Sequence, residues 1–127
     1  MTTRRFLAGL LLMLDLTHTA YAQSTPAAVV QIEITHLLDF VGKSGCAFYR
    51  NGTWYDALSA QQHLRDKYNY LSSLSEVTST DQFIEKVATQ SSYTQIQYQV
   101  KCRDQLTLTS RLWLHDELLR WRQSVLK

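Results

Sequence analysis

Hydrophobic and polar positions follow two different periods along this chain, and each period predicts a different kind of element. Val30, Ile34, Leu37, Leu38 and Val41 recur every three or four residues, the spacing that lines one face of an α-helix. Thr25 before Pro26 supplies an N-cap and a proline at the first helical position, so a helix is predicted over Pro26 to Val41, ended by Gly42 and Gly45. Ala57, Ala60, Leu64, Tyr68 and Leu71 repeat the pattern behind a second capping residue, Asp56, and predict a helix from Ala57 to about Tyr70. Ser72 to Thr78 reads as a polar connector. Ser79 with Gln82 forms a capping-box pattern ahead of Phe83, Ile84, Val87 and Ala88, a short third helix ending near Ser91. Leu114, Leu118, Trp121 and Val125 mark a last helix that starts at Thr109 or Ser110.

The second period is two. Cys46 to Arg50 and Thr53 to Tyr55 flank Asn51-Gly52, the strongest short-range hairpin signal, because a type I′ turn needs positive φ at both central residues. In that register Tyr49 faces Trp54 and Phe48 faces Tyr55, and one of these pairs points inward. Tyr98, Val100 and Cys102 alternate with Gln97, Gln99 and Lys101, as in a half-buried strand, and Leu106 to Leu108 reads as a further extended piece. Helices and strands segregated in this way predict an α+β domain: a small antiparallel sheet, hairpin plus third strand, packed against about four helices.

The N-terminus changes the picture. Arg4 and Arg5 precede an apolar run from Phe6 to Leu14, and Ala20-Tyr21-Ala22 offers small residues at the first and third positions. These are the three parts of a secretory signal, with cleavage expected after Ala22. Asp15 stops the run well short of the roughly 20 apolar residues a membrane span requires, and nothing later is apolar enough to cross a bilayer. Residues 1–22 are therefore read as a signal peptide and 23–127 as one mature domain in the periplasm or outside the cell. Cleavage of the 127-residue chain leaves 105 residues and takes away two arginines and one aspartate, so the formal charge falls from +2 to +1. That balance gives no electrostatic grip on nucleic acid or anionic lipid.

Export also decides how the cysteines are read. Cys46 and Cys102 are the only two in the chain, and in an oxidising compartment an even pair is a disulfide first. Closing so long a loop stabilises the fold by about 4 kcal/mol in the chain-entropy model. The close C-x-x-C spacing of a redox pair is absent.

Several of these residues fall into blocks. Phe48-Tyr-Arg-Asn-Gly52, Ala60-x-x-His63-Leu64-x-x-Lys67, Phe83-Ile84 with Ala88, Ser91-Ser92 and Tyr98 occur in one order. With them the chain resembles the DUF5329-type, YfeK-like family of small exported bacterial proteins of unknown function, over roughly Ile32 to Leu118, a span usual for one domain. The Phe-x-Arg-Asn-Gly and Ala-x-x-His-Leu-x-x-Lys blocks are the most specific. The family usually has Ser-Gly-x-Pro-Tyr before the third strand. Here Thr94, Gln95, Ile96 and Gln97 precede Tyr98, so the glycine and the proline are missing and the geometry of that loop is open. The resemblance implies compartment and domain extent, and no activity.

Function must be read from side chains. Ser59, His63 and Lys67 lie four apart on one helix face, and with Arg50 at the hairpin tip they can converge as donors on an anionic or sugar ligand. Asn51, Tyr98 and Trp54 complete the candidate binding set. The plainer alternative has His63 donating to a backbone carbonyl, with Arg50 and Lys67 solvated or paired with Asp56 or Asp66. Tyr49, Trp54 and Tyr55, with Tyr68, Tyr70 and Tyr93, could stack on sugar rings or fill a partner's pocket, or could simply build a small core. No G-x-S-x-G elbow, free thiol or metal-ligand spacing is present, and His115 with Asp116 and Glu117 reads as a wet helix face. No catalytic residue, metal or cofactor is therefore assigned. The reading is a non-enzymatic periplasmic binding or interaction domain whose partner is an envelope protein, for instance an enzyme that it inhibits. A binder of cell-wall glycan fragments or small anionic ligands ranks second, and a hydrolase of envelope polymers third.

Overall fold

The computed structural model describes residues 26–127, and the predicted leader and its cleavage point lie outside the described residues. Helix α1 (Pro26–Lys43) leads into strands β1 (Ala47–Arg50) and β2 (Thr53–Tyr55), then helix α2 (Ala57–Ser73). A single helical turn, α3 (Thr80–Gln82), continues into a π-helical turn, Phe83–Val87. Strands β3 (Gln99–Lys101) and β4 (Leu108–Thr109) precede the closing helix α4 (Ser110–Val125). The strands form one antiparallel sheet in the order β2-β1-β3-β4. The fold is α+β, with a fourth strand beyond the predicted three.

Each element forms for a local reason. Asn51 and Gly52 both take positive φ, 50° and 87°, which the hairpin turn demands, and the register places Phe48 opposite Tyr55 and Tyr49 opposite Trp54, as expected. Phe48 is the inward residue, in edge contact with Trp113. Asp56 caps α2 by accepting from the Ser59 amide at 2.8 Å, and Thr109 caps α4 by accepting from Leu112 at 3.3 Å. Ser79 accepts from the Gln82 amide, but the Gln82 side chain reaches back one residue further than in a capping box, to the amide of Thr78 at 2.8 Å.

The core is a single cluster. Ile34 and Leu37 of α1, Phe83 and Ile84 of the π-turn, and Leu114 of α4 are fully enclosed. The π-turn explains why adjacent pairs, Phe83-Ile84 and Val87-Ala88, are all buried. The Ala88 amide donates to both Phe83 at 3.3 Å and Ile84 at 3.2 Å, and this widened turn lets two neighbouring side chains face inward.

Four expectations are corrected. Gly42 does not end α1 but sits inside it, where the absence of a Cβ lets the Gln61 side chain cross, 2.6 Å from where a Cβ would be, and donate to the Leu38 carbonyl. Gly45, with φ 66°, makes the exit. The third helix stops at Val87 rather than near Ser91. The connector after α2 is shorter than its polarity suggested, because α2 runs to Ser73 and Val77 is buried in the core. Leu106 is 84% exposed, and only Leu108 of its predicted strand pairs, with Val100.

The disulfide joins Cys46 to Cys102. Since Ala47 pairs with Lys101, the bridge closes one end of the β1–β3 ladder. It ties together the two strands that supply the candidate site.

Candidate functional site

Alternation along β1 puts Arg50 on the same face as Phe48. The register that pairs Phe48 with Val100 and Tyr49 with Gln99 brings Tyr98 opposite Arg50 at the mouth of the ladder. Helix α2 covers this face with Ser59, Ala60, His63, Leu64 and Lys67 on successive turns. A cleft of about 30 Å³ remains, and Arg50, Tyr55, Ser59, His63, Tyr98 and Ser110 give it its polar atoms.

The hydrogen bonds in this cluster fix a direction. Arg50 Nη1 contacts Nδ1 of His63, and Nε2 of the same ring lies 3.1 Å from the Tyr98 hydroxyl. A guanidinium only donates, so Nδ1 must accept and the neutral ring carries its proton on Nε2. His63 therefore donates to Tyr98. Lys67 donates to the Gln90 carbonyl at 2.7 Å and to the Tyr98 hydroxyl at 3.4 Å. The Tyr98 oxygen is thus an acceptor from two sides, and its own proton is left to donate. Arg50 also lies 4.7 Å from the Tyr55 ring centroid, and Lys67 lies 5.1 Å from that of Tyr98.

The electrostatics follow from burial and like charge. Burial, then the charges of Arg50 and Lys67, push the His63 imidazole down to about 4. Burial, then Arg50, pushes the Lys67 amine down to about 8. Burial raises the Tyr98 phenol, against the pull of Arg50, whereas the hydrogen bond from Arg50 lowers that of Tyr55. Among the described residues no carboxylate forms an ion pair with Arg50 or Lys67. Asp56 is occupied as a cap and Asp66 accepts from Gln62, so neither takes the pairing role that the plainer alternative gave it.

The structure gathers Arg50, His63, Lys67 and Tyr98 into one cluster, with Ser59 in the cleft and Lys67 supporting Tyr98. Asn51 is near but differently employed, since it donates to Ser91 Oγ at 3.2 Å and accepts from Thr94 Oγ1 at 2.6 Å, holding the 91–96 loop to the hairpin. Trp54 does not join: it stands on the opposite face of the hairpin with Tyr49, ring centroids 5.4 Å apart. Tyr55 does line the cleft, and hairpin alternation carries the signal for it. Ser110 has no such signal, because the β3–β4 connection alone brings the start of α4 to Tyr98, whose carbonyl accepts from the Ser110 amide at 3.0 Å.

The other two described histidines, His36 and His115, serve structure. His36 bonds Glu117 at 2.9 Å and stacks on Trp121, which buries Glu117 against α1, whereas Asp116 is exposed and His115 bonds the exposed Glu85 at 3.1 Å, as on the wet face expected. Among the described residues no group of three histidine, cysteine, aspartate or glutamate side chains is placed to hold a metal ion, and no helix is long and apolar enough to cross a membrane.

A family of unknown function, DUF5329, matches residues 28–122. The chain belongs to that family. No curated protein and no solved structure matches it. The matched stretch takes in every element that builds the cleft. Within it Gln95 holds a positive φ of 59°, a backbone conformation that glycine adopts most readily. The 91–96 loop is closed by backbone hydrogen bonds: the Gln95 amide donates to the Ser91 carbonyl at 2.9 Å, and the Ser91 amide donates to that of Ile96 at 3.0 Å.

Proposed function

We propose that this is an exported, non-enzymatic binding domain whose cleft receives an anionic group of its ligand. One observation carries the reading: two cations, Arg50 and Lys67, are held on either side of His63 and Tyr98 with no carboxylate among the described residues paired to them. Like charges held together around a half-buried imidazole cost stability, and an incoming anion relieves that cost. The ordering of donors supports the same conclusion, because Arg50 and Tyr98 can only offer hydrogens to whatever enters. Of the ligands considered for an envelope protein, a small anion or an acidic glycan fragment fits this chemistry best. Hydrolysis is disfavoured. Both ring nitrogens of His63 are engaged, so neither is free to take a proton from Ser59 or Ser110.

A partner protein in the envelope, first on the sequence alone, becomes the second reading, favoured by Tyr93. This side chain is 98% exposed on a loop stiffened by the Ser91 and Thr94 hydrogen bonds, and a rigid aromatic knob suits a partner's pocket. A bivalent test separates the two. Titrating the purified protein with chloride, carboxylates and phosphate, followed by the His63 ring resonances, should show saturable shifts that Arg50→Gln abolishes. Shifts unchanged by that substitution would count against the cleft, and Tyr93→Ala then tests the loop in partner capture. Export is tested separately: the chain recovered from outside the cytoplasm should begin at Gln23, and a chain retained with Met1 would overturn it.

A further inference from the structure

We infer that the anionic group this cleft takes is a carboxylate borne on a small apolar substituent, such as a short-chain acid or the C-terminus of a peptide ending in a small residue. The inference rests on the reading of the cleft as an anion site and names the chemistry of its ligand.

Size comes first. On the scale where one water needs about 10–15 Å³, a cleft of about 30 Å³ has room for roughly two water-sized atoms. Two oxygens are what a carboxylate inserts. A phosphate or sulfate brings four, arranged tetrahedrally, and a sugar ring many more. The donors match the same shape. Arg50 spends one N–H on His63 Nδ1 and keeps the rest of its planar fork, the geometry that meets a carboxylate with parallel bonds. The Tyr98 proton is directed by its two donor neighbours, His63 and Lys67, which leave it only an outward acceptor to find.

The walls decide the remainder of the ligand. Apart from those polar groups the cleft is closed by Phe48, Ala60 and Leu64, all buried. A strongly hydrated dianion set against these side chains would lose its water without replacement. A carboxylate carries a single charge with an apolar carbon directly behind its two oxygens, so it gives up less water on entering. Charge points the same way: with His63 neutral, Arg50 faces the cleft directly and Lys67 acts through the Tyr98 hydroxyl, so a single negative charge is met at close range.

The test is calorimetric titration of the full mature chain with four probes: propionate, propionamide, N-acetyl-alanyl-alanine and inorganic phosphate. Propionate or the dipeptide should bind at least about tenfold more tightly than propionamide, which keeps the shape and loses the charge. Stronger binding of the dipeptide assigns a peptide terminus, and stronger binding of propionate assigns a free acid. Tyr98→Phe, which keeps the ring and removes the donor, should weaken the carboxylate about tenfold. Arg50→Lys, on the accessible hairpin, should do the same, since it keeps the charge and loses the fork. Phosphate binding as tightly as either carboxylate, with the same loss in Arg50→Gln, overturns the carboxylate and leaves the anion site standing. Binding of none of the four, by a protein whose melting curve is intact, overturns both.

Discussion

At the contact of α1 with α4, Glu33 takes Nε and Nη2 of Arg122 at 2.7 and 3.0 Å and the Thr80 hydroxyl at 2.7 Å. At the contact of the hairpin with α2, Arg50 and Lys67 bracket a neutral imidazole and a phenol instead, and no carboxylate among the described residues pairs with them. Both clusters join elements far apart in sequence, and both remove charge from water. The first is complete. Its carboxylate is nearly buried and accepts from every direction, so its pKa is held low mainly by the hydrogen bond from Arg122. The second is open, and its groups are forced toward neutrality by burial and by one another. A fold has no stability reason to assemble the second kind, and that is why the function is placed there.

The comparison can be broken in several ways, and the largest effect is expected at the disulfide. Cys46–Cys102 closes the ladder that carries Arg50 and Tyr98, so reduction should lower stability by about 4 kcal/mol. Loss of ligand response should precede loss of helical circular dichroism. Next is Glu33→Ala, which strands a guanidinium and a buried hydroxyl. The Glu33 side chain is 7% exposed and that of Arg122 43%, so the loss should be about 2–3 kcal/mol, below that of a fully buried pair. Urea titration measures it, and a change under 0.5 kcal/mol would end the claim that this cluster is structural.

Acid should separate the clusters in time. His63 is held neutral down to about 4 in the fold, against 6.5 for the free side chain. Between those values the unfolded chain binds a proton that the folded chain refuses, so stability falls as pH drops through this window, by on the order of 2 kcal/mol. Glu33, whose pKa is lowered, loses its contribution only further down, as pH falls below the ordinary carboxylate range. His63→Gln should remove the first phase and keep the second. Lys67 acts with the same sign in a higher window: charged at a cost at neutrality, it should add stability as pH rises through about 8 toward its ordinary value.

Arg50→Ala should have a small effect of unusual sign. Removing one of two like charges should leave stability unchanged or raise it by up to about 1 kcal/mol, while the His63 titration, followed by NMR, moves up. It should stop short of the ordinary value, because burial is the larger cause. The smallest effect is at Gln95. Glycine adopts its positive φ without strain, so Gln95→Gly should stabilise by about 0.5 kcal/mol.

Much of the fold was legible because its signals are local. The turn at Asn51-Gly52, the caps Asp56, Ser79 and Thr109, and the stripes of α1, α2 and α4 each depend on neighbours within a few residues. What was misread depended on distant partners. Gly42 is a glycine for the passage of Gln61 rather than for a helix end, and Val125 is exposed although it continues the α4 stripe, because that stripe outruns what covers it. The site divides in the same way. Spacing alone put His63 and Lys67 on one helix face, and alternation put Arg50 with Tyr55.

The sequence by itself determined the elements, the hairpin register, the pairing of its two cysteines and the family, since these follow from periodicity, turn chemistry, residue count and motif order. Only the tertiary structure decided that Tyr98 meets His63, that Lys67 finds a carbonyl rather than Asp66, and that Trp54 turns away. The reason is physical. The charge state of a side chain depends on what is packed within a few ångströms of it, and here those neighbours come from strands and helices that only the β1–β3 ladder brings together.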